Sequence, residues 1–390
     1  MTATLPRRAF TPFFASAFAW NFGLGMSHIL IPLYADHLGY SGVAIGSLVS
    51  LPVLAQITIN LLGGVWTDRV GGKRLAMYSA AALAAGSVVF AFASTIALLF
   101  VGQLCFTVSR AVFWPATWAL GSQLPGDRST QLGRLNSITS AGQILGTVVA
   151  GLAIADLGFR PGFWLLAMGG GLSLALMSLF AAPVHRQPAA PPSIFAAYRM
   201  LARRRSIWYG LMCAYVSALP FSLSFSFYPI LLVSHGLSSD ETGWMMALRA
   251  VGAVCAGVTA ARFVRSVAGW SIPVATALVV AASVLLIAAS REPLPISALL
   301  FLVGLASGVM TLYFQLLISD LSSAETRGSA LALGGLGWGL SHLTTPLIMG
   351  ALKDAFGIEA AFYSMGTIAV TWALALAPMH AWAFRGGKPR

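Results

Sequence analysis

Charged side chains are scarce in this sequence, and acidic ones are the scarcest: Asp and Glu together number 11, and all charged residues make up only 9% of the chain. A soluble domain typically carries about 25% charged residues. The deficit leaves too little polar surface to face water and excludes an ordinary soluble globular protein. Hydrophobic residues reach 58% of the 390 positions and occur in long runs, which predict a membrane protein with lipid as its solvent.

Cysteine is equally scarce. Cys105, Cys213 and Cys255 lie in separate apolar segments, which excludes a disulfide framework and a zinc site, since both need clustered ligands. The sequence also lacks a phosphate-binding loop and a nucleophile–base set at membrane depth. We therefore expect no metal and no cofactor, and we predict that the chain is not an enzyme.

Twelve apolar segments are long enough to cross a bilayer, because a hydrocarbon core of about 30 Å requires about 20 apolar residues in a helix. The predicted spans are residues 12–34, 43–64, 75–94, 96–121, 134–156, 161–182, 207–233, 241–262, 271–290, 294–318, 328–351 and 359–384. The first is too long for a signal-peptide core and lacks a clear cleavage site, so we expect it to be retained. The predicted fold is an all-α membrane protein with twelve transmembrane helices.

The formal net charge of +12 is not spread evenly. With the N-terminus inside, 18 of the 23 basic residues fall in cytoplasmic segments, and only Arg160, Arg291 and Lys353 fall on the opposite face. This bias follows the positive-inside rule and predicts that both termini are cytoplasmic. It also favours the lipid bilayer as the partner of the basic residues and argues against nucleic acid.

The sequence contains a weak internal repeat. Pro32, Gly39 and Gly46 match Pro229, Gly236 and Gly243 at an offset of 197 residues, and Gly151 matches Gly350 at an offset of 199. The nearly constant offset favours duplication over chance. It predicts two pseudo-symmetric six-helix halves, residues 1–182 and 207–390, joined by a cytoplasmic linker, residues 183–206. Parallel duplicated halves are a transporter architecture with the solute near the membrane midplane.

The loop between the second and third spans carries the most specific motif. It reads GGVWTDRVGGKR and fits the pattern G-x-x-x-D-R-x-G-x-K-R through Gly64, Asp68, Arg69, Gly71, Lys73 and Arg74. This loop resembles the signature of the major facilitator superfamily, and the resemblance extends over the whole chain through twelve spans and two halves. It implies that these residues form a cytoplasmic latch. Glu325 and Arg327, in ETRGSALA before span eleven, resemble the loop that supplies the other side of the latch; an ordinary charged turn is the alternative.

Few ionisable residues lie well inside the spans; among them are His28, Arg110, Arg249 and His342, in spans one, four, eight and eleven. A charge at membrane depth costs at least about 2.5–3.5 kcal/mol on insertion scales. Arg249 lies about 12 Å along span eight at 1.5 Å per residue, and no span carries an acidic residue at its middle. Its planar fork suits a carboxylate or phosphate, so we predict contact with an anionic solute; a structural or gating role stays open.

Other polar residues complete the predicted sites. The predicted substrate-binding residues are Arg249, Arg110, His342, Gln143, Asn21 and Gln315, with Gln143 the repeat partner of His342. Arg110 also matches the arginine of a second superfamily signature, which implies gating or coupling. The candidates for proton coupling are His28, Asp36 and Glu241. Span seven carries Pro220 and Pro229, which favour a kink, and the aromatic residues Phe221, Phe225, Phe227 and Tyr228, which either clasp a solute or pack against neighbours.

The sequence therefore predicts a secondary active transporter that moves a small organic anion or amphiphilic metabolite across a bacterial inner membrane by alternating access. A monomer is expected, because a superfamily chain usually contains a complete pathway. The alternative is a proton-coupled multidrug or metabolite efflux antiporter. Span five carries Gly146-Thr147 where antiporters of the superfamily have Gly-Pro, which weakens this alternative.

Overall fold

The computed structural model describes residues 10–59, 70–182, 199–266, 269–322 and 327–385, and within these ranges it contains helices and no β-strand. The helices are α1 (Thr11–His37), α2 (Gly42–Ser50), α3 (Gly72–Phe92), α4 (Ile96–Ser122), α5 (Arg128–Leu157), α6 (Phe159–Leu179), α7 (Arg205–Ser224), α8 (Tyr228–Ser234), α9 (Ser239–Ser266), α10 (Ser271–Ala289), α11 (Pro293–Asp320), α12 (Arg327–Phe356) and α13 (Ile358–Ala383). Helices satisfy their own backbone hydrogen bonds, as an apolar solvent requires.

Eleven helical segments of the described ranges are long and apolar enough to cross a membrane. α2 reaches the required length together with the helical residues 53–59 that follow it, as the segment Gly42–Ile59. α12 is not among the eleven, because its many glycines and the polar Ser341, His342 and Thr344 lower its hydropathy. With 30 residues it is about 45 Å long, which exceeds the hydrocarbon thickness. The architecture is consistent with the twelve predicted spans.

The predicted seventh span is interrupted between α7 and α8, at residues 225–227. Pro229 explains the position of the break, because it has no N–H to donate to the carbonyl of Phe225. It lies in the first turn of α8, where a missing donor costs little. Pro220 lies inside α7, which continues through it. The interruption expected from the two prolines is therefore found at Pro229 and not at Pro220.

The helices form two compact units. Unit 1 comprises Met1–Gly39, Leu51–Ala189 and Ser238–Ala247; unit 2 comprises Tyr40–Ser50, Ala190–Leu237 and Leu248–Arg390. In unit 1, α1 packs on α5 and α6, and α3 packs on α4 and α6. In unit 2, α7 packs on α12 and α13, and α10 packs on α11 and α13. The same pairs recur in the same chain order, as a duplication predicts. Each unit also takes in a short segment of the opposite predicted half, which the repeat does not reveal.

These exchanged segments, Tyr40–Ser50 and Ser238–Ala247, are held by close helix crossings at glycines. In unit 2, a Cβ on Gly350 of α12 would overlap the carbonyl of Gly42 of α2. In unit 1, a Cβ on Gly151 of α5 would meet Gly243 Cα of α9 at 3.0 Å. Backbones approach this closely only where side chains are absent. Gly151 and Gly350 are matched by the sequence repeat, so the two crossings occupy corresponding places and support the duplication.

A carboxylate reinforces the crossing in unit 2. Asp354, in the last turn of α12, accepts hydrogen bonds from the backbone N–H groups of Gly42 at 2.5 Å and Val43 at 2.8 Å. These N–H groups belong to the first turn of α2, which has no partners within its own helix. The positive end of the helix dipole also favours a negative charge there. Asp354 therefore acts as an N-terminal cap supplied by another helix.

Candidate functional site

Arg249 lies near the middle of α9 in unit 2 and is only 5% exposed. No carboxylate of the described residues forms an ion pair with it, and its Nε has no hydrogen-bond partner among them. Its guanidinium carbon lies 5.3 Å from the centre of the Phe221 ring, and the cation interacts electrostatically with Tyr228. A cation–π contact of this kind contributes about 0.5–2 kcal/mol, less than the several kcal/mol that burying an ion costs. The guanidinium therefore keeps the capacity to bind an anion.

Glycines fix the backbone of α9 around Arg249. A Cβ on Gly304 of α11 would overlap the carbonyl of Arg249, and a Cβ on Gly252 of α9 would overlap the carbonyl of Phe301. The two helices thus meet backbone to backbone on both sides of the contact. A cation held on a rigid helix loses little conformational freedom when it binds a ligand.

His342 lies on α12 in the same unit and is 6% exposed. Its Nδ1 is 2.7 Å from Ser222 Oγ of α7, and its backbone carbonyl accepts a hydrogen bond from Ser50. The imidazole stacks on Phe221 at 5.5 Å between ring centres and meets Phe225 edge-on at 4.9 Å. These contacts hold the imidazole in one orientation.

The structure brings together two of the sequence-predicted residues, because Arg249 and His342 both contact the ring of Phe221. Trp338, one turn before His342, lies 5.6 Å from the same ring. We call these four residues the aromatic cluster: Phe221, Phe225, Trp338 and His342. Trp338 is not among the sequence-predicted residues, although its i, i+4 spacing to His342 puts both on one face of α12. A buried cation beside partly exposed rings suits an anion with an apolar body.

Arg110 lies on α4 in unit 1. Its Nη2 is 3.5 Å from Thr107 Oγ1, at the weak limit of a hydrogen bond. The neighbouring Ser109 accepts a hydrogen bond from the indole of Trp20 at 3.0 Å, and Trp20 stacks on Phe113 at 3.7 Å. Arg110 thus lies next to a packed aromatic pair that joins α1 to α4.

The predicted amides lie on three helices. Asn21 of α1 is fully buried; its amide donates to the Ala17 carbonyl at 2.9 Å, and its Oδ1 has no hydrogen-bond partner among the described residues. Gln143 of α5 is half-buried, and its carbonyl lies against Gly25 of α1. Gln315 is exposed on α11 of unit 2, about 16 Å along the helix from Gly304 at 1.5 Å per residue. It is therefore not part of the Arg249 surroundings.

The loop motif is described only in its second part. Gly71 precedes α3 with φ +88°, a conformation that favours glycine. Lys73 donates to the Ser178 carbonyl at 2.9 Å in the last turn of α6, where a cation is favourable. Arg74 is exposed. Four residues of the predicted latch lie outside the described residues: Gly64, Asp68, Arg69 and Glu325. Arg327 is the first residue of α12, but its side chain is not described. The latch stays a prediction.

The proton-coupling candidates have different surroundings. His28 is buried in α1, and Asp36 is half-buried near the end of the same helix. Glu241 is exposed and accepts hydrogen bonds from Ser238 N and Oγ, each at 2.9 Å. This arrangement resembles a capping box at the start of α9. It gives the Glu241 carboxylate a structural task, and its coupling role stays a prediction.

Metal ligands do not gather in the described part of the chain: no group of three or more His, Cys, Asp or Glu side chains there is arranged to hold an ion. Cys105, Cys213 and Cys255 are free thiols.

Comparison with known proteins places the chain in a family. The model of the Major Facilitator Superfamily matches residues 13–238 and 211–389. The uncharacterized MFS-type transporter YhjO of Bacillus subtilis (strain 168) is 25% identical over 346 residues, which cover 84% of this chain and 82% of that protein. Multidrug resistance protein 1 of the same organism is 24% identical over 168 residues, 43% of each chain. The chain thus matches less than half the length of that relative.

Solved structures share the fold. The nucleoside transporter NupG superposes with a TM-score of 0.76 at 15% identity, covering 95% of this chain and 98% of that one. A bacterial homolog of the human lysosomal transporter Spinster, in an inward-facing and unoccupied conformation, gives 0.76 at 14% identity over 97% of both chains. At these identities the likeness concerns the fold alone. The family model matches nearly the whole sequence, and this chain is therefore a member of the Major Facilitator Superfamily.

Proposed function

We propose that this transporter is a secondary active transporter that moves a small organic anion or amphiphilic anionic metabolite by alternating access. The observation that carries the proposal is Arg249: a buried guanidinium at mid-helix without an ion-pair partner among the described carboxylates. An intramembrane charge is retained against its insertion cost mainly where it has a functional partner. A carboxylate or phosphate matches the planar fork of the guanidinium.

The surroundings of Arg249 support the same solute class. The aromatic cluster adds apolar ring surface beside the cation, with Phe221 and Trp338 half-buried. A ligand with one anionic end and one apolar end would pair with the guanidinium and pack against the rings. Asn21, Gln143, Arg110 and Gln315 remain proposed solute contacts from the sequence, and the Arg249 contact does not depend on them.

The experiment is a thermal stabilisation screen of the purified protein with carboxylates, phosphate esters and lipophilic cations. A ligand at 100 times its Kd adds about 2.7 kcal/mol to the folded state, so binding raises the unfolding temperature measurably. We expect anions to stabilise the wild type and not Arg249→Ala. Arg199→Ala, which removes an exposed arginine, is the control and should respond like the wild type. Anion stabilisation that persists unchanged in Arg249→Ala would contradict the proposal.

A second candidate function is proton-coupled efflux of drugs or metabolites. Two observations favour it: relatives named for multidrug or quinolone resistance, and the aromatic surface around His342. His28, Asp36 and Glu241 are its proposed proton carriers. Stabilisation by lipophilic cations alone, unaffected by Arg249→Ala, would favour this function over anion transport. Transport that is indifferent to a pH gradient would remove the proton coupling.

We propose further that the protein works as a monomer in a bacterial inner membrane with both termini in the cytoplasm. The orientation is supported by the distribution of basic residues, of which 18 of 23 fall on one face of the predicted topology. The monomer is proposed because a chain of this superfamily usually contains a complete pathway. On this topology, the loops that hold Arg160, Arg291 and Lys353 face the periplasm.

A further inference from the structure

Tyr228, which lies in the same unit as Arg249, has a buried hydroxyl without a hydrogen-bond partner in the described part of the chain. Tyr228 starts α8 and is 0% exposed, and its ring packs against Phe362 at 5.3 Å between centres. Its hydroxyl interacts electrostatically with Arg249, whose guanidinium carbon lies 5.3 Å from the ring of Phe221, on the same predicted span as Tyr228. The Nε of Arg249 is also without a hydrogen-bond partner among the described residues. Two buried donors of unit 2 therefore lack an acceptor among the residues that the structure describes.

The two donors together specify the acceptor. A guanidinium only donates hydrogen bonds, and a phenol donates one. Buried polar groups are normally paired, so an unpaired pair of donors indicates a partner that arrives with the ligand. A carboxylate fits best, because its two oxygens accept from a guanidinium and a hydroxyl at once.

The polar atoms of the rings near these donors already have hydrogen-bond partners. The indole N–H of Trp338 donates to Ser217 Oγ at 3.1 Å, and His342 Nδ1 is paired with Ser222 at 2.7 Å. Phe221 and Trp338 are half-buried and lie 5.6 Å apart at 44°. What they offer a ligand is ring surface. Aromatic faces of this kind favour another flat ring over an aliphatic chain, through offset or edge-to-face contacts.

We infer that the solute is an aromatic carboxylate, whose carboxylate group accepts hydrogen bonds from Arg249 and Tyr228 while its ring packs on Phe221 and Trp338. The inference rests on the proposed function and narrows it from organic anions to flat aromatic acids. Tyr228 becomes a specificity-determining residue, since its hydroxyl supplies the donor that a neutral or cationic ligand leaves unused.

The test compares benzoate with cyclohexanecarboxylate, which has the same charge and carbon count but no planar ring. Binding is measured by isothermal titration on the purified wild type, on Tyr228→Phe and on Tyr363→Phe, which removes an exposed hydroxyl of α13. We expect benzoate to bind the wild type about tenfold more tightly than cyclohexanecarboxylate, and Tyr228→Phe to weaken benzoate about tenfold. Tyr363→Phe should bind like the wild type.

The failures separate the two proposals. Equal affinity for both acids, with both lost in Arg249→Ala, would overturn the aromatic specificity and leave anion transport standing. Unchanged benzoate binding in Tyr228→Phe would overturn the role of the hydroxyl. Binding of neither acid, together with cation binding indifferent to Arg249→Ala, would remove the proposed function itself. The wild-type comparison requires no variant to fold, so it decides the specificity even if Tyr228→Phe is unstable.

Discussion

At the residue scale, His235 makes the stability of unit 2 depend on pH. It follows α8, and its Nε2 lies 3.6 Å from the Glu359 carboxylate, which also pairs with Arg291 at 2.6 Å. Burial, the largest effect, lowers the pKa of His235 below its ordinary 6.5; Glu359 opposes this shift and Arg291 adds to it. The unfolded chain then binds the proton more readily, so the free energy of unfolding falls as the pH drops below about 6.5 and levels off below the folded-state pKa.

This prediction is checked by unfolding temperatures between about pH 7.5 and about pH 5. The wild type should lose stability on acidification, and His235→Gln should lose less. His37→Gln, at an exposed histidine, should behave like the wild type. A His235→Gln profile parallel to that of the wild type would show that the imidazole does not contribute.

Single residues also show the limits of sequence analysis. Arg249 is found from the sequence because a charge in an apolar run is unusual wherever its side chain points. The sequence gives Glu241 two interpretations, a proton carrier and a helix cap. The pattern Ser238-x-x-Glu241 predicts a cap, and the structure has the corresponding hydrogen bonds. The unpaired hydroxyl of Tyr228 does not follow from the sequence, because its burial depends on packing against Phe362, which is distant in sequence.

At the element scale, the position of α9 depends on its glycine contact with α11. Gly252→Ala puts a Cβ into the Phe301 carbonyl, and we expect it to lower the unfolding temperature and to weaken ligand binding at Arg249 together. Gly257, on the same helix, has open space around it. There the same substitution should be neutral or stabilising by up to about 1 kcal/mol, since Ala is the better helix former. Thermal unfolding of both variants checks the prediction, and equal behaviour would contradict it.

The crossing of α2 and α12 depends on Asp354. Asp354→Ala removes the acceptor for two N–H groups of α2, and we expect a loss of about 1 kcal/mol of stability, the usual effect of a lost cap. Glu292→Ala is the matched control, because Glu292 precedes α11 without a side-chain cap. Chemical or thermal unfolding of the two variants should separate them. Equal stability would mean that the α2 N-terminus is adequately solvated without Asp354.

Helix positions follow well from the sequence, and helix ends and partners do not. Lipid requires an apolar surface, so hydropathy locates each span. α5 begins at Arg128, six residues before its predicted start at 134, because Asp127 caps the helix through the Thr130 N–H beyond the apolar run. The exchange of Tyr40–Ser50 and Ser238–Ala247 between the units depends on contacts about 300 and 90 residues apart in the chain, which periodicity does not encode.

At the scale of the whole molecule, the distribution of basic residues predicts the membrane orientation. Reporter fusions check it: green fluorescent protein at the C-terminus should fluoresce, and alkaline phosphatase there should be inactive, because we expect the C-terminus in the cytoplasm. Alkaline phosphatase inserted after Arg291, in a loop predicted to be periplasmic, should be active. The reverse pattern would invert the topology and the roles assigned to both sets of loops.

Family and fold are the properties that the sequence predicts best at this scale. The loop motif and the repeat are enough to indicate the superfamily, and the family match confirms it. The solute is harder to predict, because the same fold serves many solutes and only a few side chains choose among them. Arg249 is visible in the sequence as a charge. Its aromatic surroundings become visible only when α7, α9 and α12 are packed together.

The central claim is that Arg249 binds an anionic solute during transport, and counterflow in proteoliposomes tests it most directly. Vesicles that contain the wild-type protein and are loaded with the best-stabilising carboxylate should accumulate its labelled form in a saturable way. Arg249→Ala should abolish this uptake. Arg249→Lys keeps the charge without the planar fork and should lower kcat/KM about tenfold. Uptake by Arg249→Ala at the wild-type rate and with the wild-type saturation would contradict the claim.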